Sequence, residues 1–118
     1  MIDDLYKRAK TLSKACMKIA LVLPADQAIA IIIRSHLIDT SSKMAIGAKG
    51  VMSTQVQTLF LQNMNEAKQS ADACQYWLEM VKDEGYLEDQ IIDPILKESM
   101  DINHLLALAI KKIKPSNY

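Results

Sequence analysis

The sequence predicts an all-α protein, an antiparallel up-down-up-down four-helix bundle, and three observations carry that prediction. Apolar residues recur at alternating steps of four and three in three separate segments, which marks one stripe of a helix that must pack against other helices. Proline and glycine punctuate the chain between those segments, at Pro24, Gly47, Gly50 and Gly85. The links that remain are short, as antiparallel neighbours require. A chain of 118 residues reads as one domain, 1–118, long enough to form a core without metals or disulfides.

The first helix is expected over residues 3–22. Its stripe is Leu5, Ala9, Leu12, Cys16, Ile19 and Leu23. Asp3 and Asp4 suit the positive end of the helix dipole, and Pro24 ends the helix because the residue before a proline avoids the α region. The second helix is expected over 25–46, opened by Asp26. It contains a run of six apolar residues, Ala28, Ile29, Ala30, Ile31, Ile32 and Ile33. Six residues exceed one and a half turns, so this section is apolar on every side. A helix of a four-helix bundle meets its neighbours on one side only. The remaining oily surface calls for cover, and a second copy of the chain is the simplest cover. Residues 47–54 are expected to form a connection, with Ser53 or Thr54 capping the next helix.

The third helix, over 55–84, is the longest. Phe60, Met64, Ala67, Ala71, Cys74, Leu78 and Val81 form its stripe, and Gly85 is placed to end it in a left-handed turn. Its outer face is acidic and rich in amides. The fourth helix is expected over 89–113, with stripe positions Ile92, Ile95, Ser99, Ile102, Leu106, Ala109 and Ile113; Ser99 is the one polar intruder. Pro94 leaves its start open between Asp89 and the Asp93–Pro94 pair. Lys111, Lys112 and Lys114 favour the C-terminal end of the dipole, and Pro115 closes the helix.

Fourteen basic residues balance fourteen acidic ones, which argues against a strong general nucleic-acid binder. The charges are segregated, however. Residues 1–24 carry five basic and two acidic side chains, whereas residues 55–89 carry two basic and seven acidic ones. The chain opens without a basic or apolar leader pattern, and its longest apolar run is far short of a membrane span. A cytoplasmic protein without membrane contact is expected. Cys16 and Cys74 sit on apolar stripes and read as buried small hydrophobes. The two histidines, His36 and His104, stand outside any Glu-x-x-His arrangement, so no metal site is expected. Nothing nominates a base for a nucleophile, and residues 47–50 lack the spacing of a phosphate-binding loop. The reading is therefore no catalytic residue, no cofactor and no small-molecule substrate.

Two surfaces remain. Lys7, Lys10, Lys14 and Lys18 lie opposite the first seam with Arg8 at the flank, a candidate surface for phosphates or an acidic partner. The bland alternative is a solvated face. Ile29, Ile31, Ile32 and Ile33, with Tyr76 and Trp77, are the candidate contacts between copies, since large aromatics dominate interface energetics. For Trp77 the alternative is an edge filler beside Leu78.

Phe60, Met64, Ala67, Ser70, Ala71, Tyr76, Trp77 and Leu78, followed by Gly85, Tyr86 and Leu87, together with Leu23–Pro24, make the chain resemble the four helix bundle protein group, also called the 23S rRNA intervening-sequence protein family. The resemblance covers nearly the whole chain. It is also similar to a related branch, the accessory variability determinants of diversity-generating retroelements. The chain departs from the family over residues 44–49, which lack the family's Asn and acidic residue. The resemblance implies a homopentameric ring of bundles, no catalysis, and RNA or a reverse transcriptase as partner. The function expected is thus a non-catalytic oligomeric adaptor showing repeated basic surfaces to RNA or to a nucleic-acid enzyme. The alternative is a protein-interaction module that docks through its acidic third helix and never touches nucleic acid.

Overall fold

A computed structural model describes residues 2–52 and 56–113. The expected caps Ser53 and Thr54, the side chain of Asp3, and the closing residues Lys114 and Pro115 lie outside what is described. Four helices follow in order: α1 (Ile2–Val22), α2 (Ala28–Met52), α3 (Gln57–Asp83) and α4 (Asp89–Ile113). The described residues contain no strand.

Consecutive helices pack side by side, and α1 closes more loosely on α4, so α1 and α3 occupy opposite corners. The Tyr86 hydroxyl donates to Gln27 Oε1 at 3.1 Å, which ties the α1–α2 turn to the α3–α4 turn at one end of the bundle. The heptad stripes supply the core. Leu5, Ala9, Leu12, Cys16, Ile19 and Leu23 are all buried, as are Met64, Ala67, Ala71, Cys74, Leu78 and Val81. From α4, Ile92, Ser99, Ile102 and Leu106 are buried, while Ile95 and Ala109 pack against the core from its edge.

Local chemistry sets the ends. Gly85 has φ +68°, and its N–H donates to Lys82 O while the Tyr86 N–H donates to Val81 O. This pair of bonds closes α3 in the left-handed turn that glycine adopts without a side-chain clash. At the other turn, Arg34 reaches back from α2. Its Nε donates to Ala20 O at 2.9 Å and its Nη2 to Leu23 O at 2.7 Å, satisfying carbonyls that the end of α1 leaves unpaired. α4 starts at Asp89 and carries Pro94 inside it. The earlier of the two starts open in the sequence is the one adopted, and Pro94 leaves one carbonyl of the first turns without its helical donor.

The end of α2 departs from expectation. Gly47 and Gly50 were expected to break the chain, yet the helix runs through both to Met52. The reason is the neighbour. A Cβ added at Gly47 would stand 2.9 Å from Ala67 Cβ and 3.1 Å from Ala67 Cα, and one at Gly50 would stand 3.1 Å from the Asn63 amide. The glycines are there so that α2 and α3 can approach closely, and tertiary packing outweighs their poor helix propensity. Gly47→Ala should therefore cost about 1–3 kcal/mol, because the clash is with a Cβ and backbone rather than a flexible tip. Urea unfolding reads this as a lower midpoint with an unchanged slope.

Candidate functional site

The α1 surface is built by phase. At 100° per residue, Lys7, Lys10, Lys14 and Lys18 fall within an arc of about 80° on the side away from the seam. All four are exposed. The stripe they form rises about 16 Å along the helix axis. None of the four takes part in an ion pair among the described residues, whereas Arg8, Lys43, Lys68, Lys82 and Lys97 each meet a carboxylate. The Lys10 ammonium lies 6.0 Å from the centre of the Tyr6 ring. Tyr6 therefore shares the rim of the stripe.

Arg8 does not join that face. Its Nε donates to Glu98 Oε2 at 3.0 Å and its Nη2 to Glu98 Oε1 at 2.5 Å, with Asp101 at 4.0 Å. The hydrogen bond to Glu98 and the two negative charges hold the guanidinium pKa above its ordinary value. Arg8 thus serves to join α1 to α4 at the bundle's loosest contact. Its fork is occupied inside the protomer, so it is no longer a free member of the cationic set.

The isoleucine run divides by phase in the same way. Ile33 was expected at the contact between copies. It is instead fully buried in the protomer core, together with Ala30 and Leu37. Its angular position coincides with the inward side of α2, one turn from Leu37. Ile29, Ile31 and Ile32 stand 46, 47 and 52 % exposed. Ile31 and Ile38 lie on the flank toward α1, the side from which Arg34 reaches Ala20. Ile29 and Ile32 lie on the flank toward α3, in phase with His36.

On that second flank His36 stacks on Trp77, with ring centroids 4.4 Å apart and planes 3° from parallel. Tyr76 meets Trp77 edge-on at 5.0 Å and is itself exposed. Trp77 is half-buried and packs against the core, so both roles open in the sequence coexist: one side of the indole fills the edge of the core, the other shows to the surface. The sequence did not single out His36 for this stack. A signal was present in hindsight, because Ile29, Ile32 and His36 share one phase of α2 and Trp77 borders the α3 seam.

Chemistry beyond binding has little to work with. No group of three or more His, Cys, Asp or Glu side chains capable of holding a metal occurs among the described residues. No helix is long and apolar enough to cross a membrane. An apolar cleft of about 260 Å³ opens between α1 and α4, lined by Leu5, Met64, Leu105, Leu108 and Ala109 and rimmed by Asp4, Arg8 and Lys112.

No family model and no curated protein matches the chain. A solved structure does. The chain is similar to the crystal structure of a protein of unknown function from the S23 ribosomal protein family of Bacteroides thetaiotaomicron, with a TM-score of 0.82 and 20 % identity. The match covers 94 % of this chain and 99 % of that one. At this identity the likeness establishes the fold, an all-α arrangement of four helices.

Proposed function

We propose that the protein is a non-catalytic adaptor that self-assembles through the flanks of α2 and presents the lysine face of α1 to RNA or to a nucleic-acid enzyme such as a reverse transcriptase. The observation that carries this reading is the contrast in charge pairing. Five other cations are tied to carboxylates, while Lys7, Lys10, Lys14 and Lys18 stand exposed and unpaired on one face. Lysines free of internal partners keep their full charge for phosphates, and binding then gains from the counterions those phosphates release. The structural neighbour belongs to a ribosomal protein family, which accords with an RNA-related role.

Four cations per protomer make a weak site alone. Repetition around a closed assembly multiplies them on one ligand. The half-exposed isoleucines Ile29, Ile31 and Ile32 support such an assembly, and the family resemblance points to a ring of five. Tyr76 and Trp77 extend the oily flank on the α3 side.

Salt separates this reading from a purely protein-binding one. Four phosphates neutralised per protomer imply that raising salt from 50 to 200 mM weakens RNA affinity about 50- to 150-fold. A fluorescence anisotropy titration of a single-stranded RNA across that range measures it. Absence of RNA binding even at the lowest salt would reject the nucleic-acid reading and favour docking through the acidic face of α3, where Glu66, Asp72, Glu79 and Asp83 are exposed.

A further inference from the structure

Cys16 on α1 and Cys74 on α3 are both free thiols at 0 % exposure, and their sulfurs stand 3.7 Å apart. They are 58 positions apart in the chain and belong to helices at opposite corners of the bundle, so they meet only because the two heptad seams place them at one level of the core. The pair is not symmetric. Cys16 holds its proton tightly, because it donates toward Cys74 and because burial disfavours its thiolate. The same hydrogen bond draws the Cys74 thiol below its ordinary value, aided by the Thr40 hydroxyl. Ser41, also fully buried, is placed to do the same for Cys16. A nucleophile and a resolving thiol are thus already in contact, and a disulfide bond length of about 2.05 Å is only about 1.7 Å of approach away.

We propose that Cys16 and Cys74 form a peroxide-oxidisable pair that closes into an intramolecular disulfide across the bundle core. The Cys74 thiolate attacks one peroxide oxygen; the O–O bond breaks, giving a sulfenic acid at Cys74 and hydroxide. Hydroxide takes the Cys16 proton and leaves as water. The Cys16 sulfur then attacks the sulfenic sulfur, the S–O bond breaks, and the departing oxygen leaves as a second water after taking up the one remaining proton. Two thiols are oxidised to one disulfide, and one peroxide is reduced to two waters. Both sulfurs are shielded from solvent, so the rate follows local opening of the helices rather than peroxide collision. Closure staples α1 to α3 and encloses the whole of α2 in the covalent loop, which pulls two helices that are not packing neighbours toward one another.

The test is intact-mass analysis of the reduced, purified chain before and after millimolar hydrogen peroxide. The expected result is a loss of about 2 Da that dithiothreitol reverses, with a single cross-linked peptide joining Cys16 to Cys74. The melting temperature of the oxidised chain should rise by on the order of 10 °C, since the bond closes a long loop. In Cys16→Ser the reaction should stop at a sulfenic acid on Cys74 that dimedone traps. Should that variant fail to fold, the wild-type mass alone decides. Thiols that remain fully titratable after denaturation, oxidation to a sulfinic acid without a cross-link, or cross-links only between chains would each overturn the proposal.

Discussion

Replacing both Ile29 and Ile32 with lysine should break the assembly into protomers while leaving the bundle folded. Each isoleucine is about half exposed, and burying the remaining half against a neighbour is worth roughly 1 kcal/mol. The double change removes about 2 kcal/mol per contact and adds the cost of desolvating two ammonium groups, so each contact weakens by well over 10-fold. The protomer should hardly notice. Both side chains lie outside the core formed by Ala30, Ile33 and Leu37, and surface changes of this sort cost little. Circular dichroism should thus report an unchanged helical signal while sedimentation velocity reports a smaller particle. The contrasting variant is Ile33→Lys, which places a charge in the core and should unfold the chain outright. If Ile29→Lys/Ile32→Lys sediments as wild type, the flank toward α3 is not the contact.

Reversing the charge of Lys7, Lys10, Lys14 and Lys18 to glutamate should abolish RNA binding. The four side chains share no ion pair within the protomer, so their replacement leaves no carboxylate unpaired and breaks no contact that holds α1 in place. Helix propensities of Lys and Glu are close, which keeps α1 intact. The loss should exceed the 50- to 150-fold of the salt titration, because reversal adds repulsion where salt only screens. Arg8→Gln distinguishes a local effect from a general one. Arg8 is engaged with Glu98 and Asp101, so its change should lower stability at the α1–α4 contact and leave RNA affinity nearly untouched. Equal loss of affinity in both variants would place the binding surface on the α1–α4 side instead.

The parts of the fold that were legible in the sequence are those governed by periodicity and by single punctuating residues. Three heptad stripes placed the core of α1, α3 and α4, because a residue's phase on a helix is fixed by its number alone. Gly85 announced the end of α3, because the left-handed turn there admits glycine without strain. What misled was the same residue type in another role. Gly47 and Gly50 carry no local mark that distinguishes a breaker from a surface cut for a neighbouring helix; only Ala67 and Asn63 reveal the difference. The isoleucine run was legible as excess oily surface, but a uniform run has no phase of its own, so Ile33 could not be told from its neighbours until Leu37 and Met44 fixed the inward side.

The candidate surfaces follow the same division. The lysine stripe was readable, since its four members share a phase. Arg8 was one residue off that phase, and its commitment to Glu98 depends on a partner 90 positions away that no local pattern indicates. The contact of Cys16 with Cys74 is likewise a matter of register between two seams, each readable alone, whose alignment only packing decides.

Sedimentation equilibrium of the unmodified protein at micromolar concentration bears most directly on whether copies of the chain shield the isoleucine flanks of α2. A single species at a multiple of the 13.2 kDa protomer mass is expected, unchanged by moderate salt because the contact is apolar. A particle of 13.2 kDa under those conditions would contradict the shielding and, with it, the multiplied lysine display.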